Sequence, residues 1–191
     1  LDITERRRAE ETQQLLIGEL NHRVKNSLAT VQAIAAQSIR HARSNEEFQS
    51  TFMGRLQALA QAHSLLSAAT WEGAMIGTLL AEQMALGTVD PERLDVTGPD
   101  IELAPDATLR VALVFHELIT NANKYGALAY DAGKVAVSWK NEASGLTLHW
   151  RETGVPNLTQ PDRTGFGSKL IQTSTGGGQA RVTYWPDGIE W

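Results

Sequence analysis

Residues 18–32, "GELNHRVKNSLATVQ", surround one histidine, His22, with a carboxylate (Glu19), two cations (Arg23, Lys25) and two amides (Asn21, Asn26). A neutral, exposed imidazole is a nucleophile near physiological pH, and flanking cations offset the charge of an incoming anionic group. At about 100° per residue, His22 lies roughly 200° from Leu20 and Val24 and points away from their apolar stripe. A solvated surface histidine satisfies the same spacing, so this stretch alone does not decide its role. A second cluster lies in "HELITNANKYG", residues 116–126. Glu117, Asn121 and Lys124 fall at i, i+4 and i+7 and share one helix face, while Ala112, Phe115, Ile119 and Ala122 make the opposite face apolar. A carboxylate, an amide and an ammonium in line suit a metal-bridged polyphosphate. The amide oxygen can ligate Mg²⁺, the lysine can meet phosphate, and the carboxylate can hold a water or orient a metal ligand. A solvated face explains that triplet equally well when it stands alone.

Two glycine-bearing stretches follow. "WRETGVP" (150–156) sets Glu152 two residues before Gly154, at a strand end. "TGFGSKLI" (164–171) has glycines that free backbone N–H groups to cradle phosphate where a helix begins. One Gly-x-Gly is weak on its own, because turns use glycine constantly. Polar helix, acid-x-Gly and Gly-x-Gly-x-x-Leu in this order are far more specific together.

The elements that must position these groups are legible from periodicity. Residues 1–14, "LDITERRRAEETQQ", are good helix formers after Thr4, with Asp2 or Thr4 as the cap. Leu16, Leu20, Val24, Leu28, Val31, Ala35 and Ile39 step by threes and fours, which predicts one long helix ending near "RHARSN". Ser44 with Glu47 forms a capping box that opens a second helix, whose stripe is Phe48, Phe52, Leu56, Leu59, His63 and Leu66. Two long helices with a short link predict an antiparallel hairpin with a stripe too broad to be satisfied alone. A four-helix bundle from two copies is the natural remedy. Beyond about residue 75, "MIGTLLAEQMAL" reads as a short helix and "LDVTGPDIEL" as strands around a Gly-Pro turn. A third long helix, capped near Asp106, stops at Gly126. "KVAVSWK", "GLTLHWRE" and "QARVTYWPDGIEW" alternate like strands. The expected fold class is α+β: an N-terminal helical hairpin, then an α/β sandwich with mostly antiparallel strands, the boundary lying near residues 69–74. His41 and His63 read as structural, and His149 belongs to no metal-ligand cluster. His116 fits either a place at the nucleotide site or burial against Trp150. Trp150, Trp185 and Trp191 read as sheet packing.

Composition narrows the partners. The 191 residues are 42% hydrophobic, enough to bury a core, and the net charge of -5 gives no basic footprint for nucleic acid or an anionic membrane. With no cysteine there is neither a disulfide nor a thiolate metal site. No apolar run approaches the roughly 20 residues that span a bilayer, and no signal peptide opens the chain, so the expected location is the cytoplasm. The chain begins with Leu1 rather than Met and is read as part of a longer protein.

Taken together, the motifs resemble those of sensor histidine kinases. "HELITNANKYGAL" is similar to their N box, "WRETGVP" to the first glycine box and "GFGSKL" to the second. His116 with Trp150 and Glu152 resembles the HWE subfamily specifically, and "ELNHRVKNSLATVQAIA" resembles its phosphoacceptor box. The resemblance spans residues 12 to 191. It implies a GHKL-type ATP-binding domain (75–191) joined to a dimerisation and histidine-phosphotransfer hairpin (15–70), with residues 1–14 as a signalling helix. The opening "LDIT" resembles the exit of a PAS or LOV sensor domain, which would precede this chain.

On this resemblance, His22 matches the histidine that accepts the γ-phosphoryl group of ATP, and Asn121 the asparagine that ligates Mg²⁺. Glu117 stands where GHKL ATPases keep a carboxylate near the attacking group. Lys124 and Tyr125 match positions that contact phosphate and nucleotide. Glu152 stands where most histidine kinases place an aspartate that accepts from the adenine amino group, and Gly154 matches the glycine beside it. Gly165, Gly167 and Leu170 match the lid-side motif. Two positions depart from the pattern. Val155 replaces the usual second glycine before proline, which would stiffen the lid hinge. Arg23, not an acid, follows His22, which leaves Glu19, one turn earlier, as the candidate proton acceptor. The implied activity is ATP-dependent phosphorylation of His22 and transfer to an aspartate in the receiver domain of a response regulator. The expected assembly is a homodimer through the hairpin, with a monomer packed on the sensor domain as the other arrangement. The competing reading is a phosphotransfer or scaffolding adaptor with a vestigial ATP domain. A GHKL ATPase or serine kinase of the anti-sigma kind would lack the histidine-bearing hairpin.

Overall fold

The computed structural model describes residues 3–143, 145–156 and 180–191. Two long helices open the chain, α1 (Ile3–His41) and α2 (Asn45–Ala68). The capping box read at Ser44 is present. Ser44 Oγ accepts from the Glu47 N–H at 3.1 Å, and the Glu47 carboxylate accepts from the Arg43 N–H at 2.8 Å. These bonds satisfy donors that a helix start leaves unpaired. The α1 stripe is open to solvent: Leu16, Leu20, Val24, Leu28 and Ile39 are between 49% and 64% exposed.

The chain forms two compact units, Leu1–Phe52 and Met53–Trp191. That division falls inside α2, whereas the sequence pattern places a boundary in residues 69–74. The reason lies in the second half of α2, where Arg55, Ala58, Leu59, Ala62 and Leu66 are buried and Ala62 belongs to the core of the second unit. The buried face is therefore rotated from the expected stripe. Leu56 and His63 are only half-buried, while Ala58 and Ala62 are fully buried. Small side chains let a helix backbone come nearer its neighbour, so packing selects them over leucine at that contact.

In the second unit β2 (Leu94–Thr97), β4 (Lys134–Glu142), β5 (Gly145–Thr153), β7 (Gly188–Glu190) and β6 (Thr183–Trp185) form a five-stranded sheet in that spatial order. Only β2 runs parallel to its neighbour; the other pairings are antiparallel. The strands predicted around Gly98-Pro99 exist but do not pair with each other. β3 (Glu102–Leu103) instead pairs with β1 (Ala74–Met75), while β2 joins β4. Along β4, Val135, Val137 and Trp139 are buried and alternate with outward residues, the period of a half-buried strand. Helices α3 (Ile76–Leu86) and α4 (Pro105–Lys124) contribute to the same core, with Leu79, Phe115 and Ile119 packed there with Val137 and Trp150. The cap of α4 differs from expectation. Ala104 occupies the cap position with no side-chain bond, Pro105 takes the first turn, and Asp106 lies inside the helix. Proline suits that place because its missing N–H would be unpaired anyway.

The rotated face of α2 is testable. Ala62→Leu should destabilise the chain by about 1–3 kcal/mol through overpacking, whereas Ala60→Leu on the exposed side should stay within about 0.5 kcal/mol. Urea denaturation of the two variants measures the difference.

Candidate functional site

Of the residues proposed to carry chemistry, His22 and Glu19 lie on α1 and both are exposed. The Asn26 amide lies close to the imidazole, its Nδ2 3.5 Å from His22 Nδ1 one turn along the helix. The i, i+4 spacing that brings them together was readable in the sequence, although Asn26 was counted there only as escort.

Glu117, Asn121 and Lys124 lie on the C-terminal half of α4, Tyr125 follows its last residue, and Glu152 bonds to the turn just beyond. Glu117, Asn121 and Lys124 run along one face, as their spacing requires, but their exposures differ. Glu117 is buried, Asn121 half-buried, and Lys124 and Tyr125 are exposed. A uniformly solvated face is thereby ruled out. Instead Glu117 pairs with Arg55 of α2: Arg55 Nε–H donates to Oε1 at 2.6 Å and Nη2–H to Oε2 at 3.1 Å, with both side chains almost wholly enclosed. Arg55 was missed in the sequence reading. Its signal was a cation at i+3 from Phe52 and i−4 from Leu59, inside an apolar stripe, where only a buried partner would hold it. Next to Glu117, His116 lies against Gly54; a Cβ on Gly54 would stand 3.1 Å from the imidazole. Burial holds the His116 pKa below the ordinary histidine value; Glu117 opposes this, and Arg55 and Lys124 add to it.

Glu152 is the second buried carboxylate. Register explains its place: β5 sets Trp150 opposite Val137 and Glu152 opposite Val135, so both point into the core two residues apart. Trp150 Nε1–H donates to Glu152 Oε1 at 3.0 Å, and the Ala127 N–H donates to Oε2 at 2.8 Å. Trp150 thus does more than pack in the sheet. The carboxylate ties β5 to the turn that follows α4, and Gly126 is needed there because a Cβ would stand 1.9 Å from Oε2. Arg93 fixes the rest of that turn, donating to the carbonyls of Ala127 at 2.9 Å, Leu128 at 3.2 Å and Gly133 at 2.9 Å, and also to that of Tyr130. Burial pushes the Glu152 pKa up, and the bonds from Ala127 and Trp150 pull against that shift.

Gly154 has φ +78, a conformation that favours glycine. Val155, the departure from the family pattern, is buried and donates its N–H to the Asp187 carbonyl at 3.0 Å. It serves as a core residue at the end of β5. Gly165, Gly167 and Leu170 lie outside the described residues. His63 is half-buried, its ring centroid 5.3 Å from that of Trp71 in an edge-to-face arrangement, and burial lowers its pKa. His149 is exposed, 3.8 Å from Glu190. Among the described residues no group of three His, Cys, Asp or Glu side chains could hold a metal, and no helix is long and apolar enough to cross a membrane.

These features define an α+β chain in which long N-terminal helices precede a mixed-sheet domain, with its polar groups gathered at the end of α4. The HWE histidine kinase family model matches residues 19–100. A blue-light-activated histidine kinase of Brucella ovis is 37% identical over 178 residues, which cover 90% of this chain and 36% of that protein. The corresponding protein of Brucella anthropi is 34% identical over 197 residues, covering 99% of this chain and 40% of its own length. Among solved structures, the blue-light activated histidine kinase EL346 of Erythrobacter litoralis has the same fold, with a TM-score of 0.65, 19% identity, and coverage of 92% of this chain and 57% of that one. The chain belongs to the HWE histidine kinase family. It spans little more than a third of the length of the curated relatives it matches.

The caged carboxylate predicts a pH-dependent phenotype. Trp150→Phe removes one donor, so the Glu152 pKa should rise above its already raised value. A carboxylate with a raised folded-state pKa costs stability as it ionises, so the added penalty is absent while Glu152 is protonated in both proteins. It grows as pH rises through the titration range, reaching about 1–3 kcal/mol when both are ionised. Urea unfolding of the two proteins from acid to neutral pH tests this; a pH-independent difference contradicts it.

Proposed function

We propose that this chain is the catalytic core of a two-component sensor kinase that uses ATP to phosphorylate His22 and hands the phosphoryl group to an aspartate of a response-regulator receiver domain. The observation that carries the reading is the hydrogen bond from the Ala127 N–H to Glu152. It ties the W-x-E motif to the turn that follows the helix bearing Asn121 and Lys124, which supports a single site for base and polyphosphate.

Asn121 would hold Mg²⁺ through its side-chain oxygen. One protein oxygen is a fitting donor set for a metal that arrives on nucleotide phosphates, since Mg²⁺ is commonly held by one or two protein ligands with phosphates and water. The bound metal supplies charge neutralisation on the phosphates. Lys124 meets phosphate charge, and Tyr125 and Gly154 border the nucleotide. Glu152 accepts from the adenine amino group, Glu117 stands near the attacking group, and Gly165, Gly167 and Leu170 line the lid side. At His22 an imidazole nitrogen forms a bond to the γ-phosphorus, the bond to the β,γ-bridging oxygen breaks, ADP leaves, and the imidazole loses a proton, for which Glu19 is the acceptor.

The exposed α1 stripe supports a homodimer through residues 15–70, the phosphotransfer hairpin, with residues 75–191 as the ATP-binding domain and 1–14 as a linker from a preceding PAS- or LOV-type sensor. Packing on that sensor is the monomeric alternative. The blue-light-activated relatives support blue light as the input. A cytoplasmic place follows from the nature of the receiver partner.

Incubation with Mg²⁺ and γ-labelled ATP should give acid-labile, base-stable label that vanishes in His22→Ala and in Asn121→Ala. No ATP binding by the parent chain would turn the reading to a phosphotransfer adaptor with a vestigial ATP domain.

A further inference from the structure

The Arg55–Glu117 pair raises a question that packing does not answer. The same face of α2 already buries Ala58, Leu59, Ala62 and Leu66. A buried ion pair adds little to such a contact, since apolar replacements of a whole pair are often neutral or stabilising. Evolving or keeping a guanidinium there needs a reason other than holding the helices together.

The geometry gives one. A glutamate has three side-chain torsions, and a carboxylate that must face a reacting group has to be held to a fraction of an ångström. The forked guanidinium grips both oxygens, at 2.6 Å and 3.1 Å, and fixes the carboxylate plane. Its enclosure keeps water from competing, with 3% and 6% of the two side chains exposed. Glu117 sits one helical turn before Asn121, so the plane is fixed beside the residue assigned to the nucleotide's metal. Gly54 suits the close approach: a Cβ there would stand 3.1 Å from the His116 ring, tighter than ordinary van der Waals contact.

We propose that Arg55 is a positioning residue for phosphoryl transfer, acting through Glu117: α2 supplies the guanidinium that orients the carboxylate of the nucleotide site. This rests on the kinase reading above, in which Glu117 stands near the attacking group.

The test measures label on His22 at saturating MgATP, and MgATP affinity by calorimetry, in the whole chain. Arg55→Met should slow labelling at least about tenfold while the Kd for MgATP changes less than about twofold, the split expected when an interaction serves the transition state alone. Arg55→Lys should recover part of the rate. Because Arg55→Met strands a buried charge and could fail to fold, the decisive comparison is Arg55→Met/Glu117→Gln against Glu117→Gln. If Arg55 acts through Glu117, the double variant is no slower than the single one. A further loss of about tenfold in the double variant would overturn the proposal in favour of a direct contact from Arg55. So would a labelling rate in Arg55→Met equal to or above that of the parent, with the kinase reading left intact. Parallel loss of affinity and rate would reduce the pair to a structural one. Absence of label from the parent itself would overturn the kinase reading and this assignment with it.

Discussion

Two carboxylates taken out of water, Glu117 and Glu152, constrain everything around the end of α4. Moving a carboxylate from water into a protein interior costs several kcal/mol unless charge or hydrogen bonds replace the lost solvent. Each is compensated differently here. Glu117 has the forked guanidinium of Arg55. Glu152 has two neutral donors, an indole N–H and a backbone N–H. The consequences follow from those partners. Arg55 requires α2 to lie against α4, which requires Gly54 and the alanine face. Ala127 must offer its N–H at the close of α4, which requires Gly126 and the carbonyl anchor of Arg93. The fold around the site is thus largely the set of conditions under which two buried acids are tolerable.

The two compensations also separate two tasks. An acid paired with a guanidinium has a fixed plane. An acid caged by neutral donors keeps a raised pKa and stays sensitive to the loss of either donor. Placing one on a helix and the other on a neighbouring strand, joined through the turn at 126–127, lets a single site hold both. Burial of the adjacent His116 lowers its pKa and so disfavours a further positive charge beside Glu117.

Much of this was legible in the sequence. Hydrophobic periodicity located α1, α2, α3 and α4, and alternation located β4 and β5, because each carries a patterned apolar face, although that of α1 is exposed here. The capping box at Ser44 was legible because it is a local interaction between residues three apart. What was not legible depended on partners distant in sequence. The pairing of β3 with β1, in place of β2, is set by how α3 packs, and periodicity within either short strand carries no information about it. The burial of Glu117 depends on Arg55, 62 residues away. Arg55, a lone cation among the apolar residues of α2, was the available signal, and reading α2 and α4 separately concealed its partner. The burial of Ala58 and Ala62 over Leu56 likewise reflects close helix approach, which a hydrophobicity pattern ranks in the wrong order. Val155 shows the reverse case: as a departure from a motif it suggested a stiffer hinge, and the structure finds it a core residue.

The central claim is that nucleotide binds at the end of α4 with its metal at Asn121. The most direct test replaces Mg²⁺ with Mn²⁺ on ATP and follows paramagnetic broadening of assigned amide resonances in the nuclear magnetic resonance spectrum. The account predicts that the Asn121 side-chain amide broadens first, with the backbone amides of Lys124 and Tyr125 close behind, while β2 at the far edge of the sheet is spared. Broadening centred elsewhere, with Asn121 unaffected at saturating Mn²⁺·ATP, would contradict it.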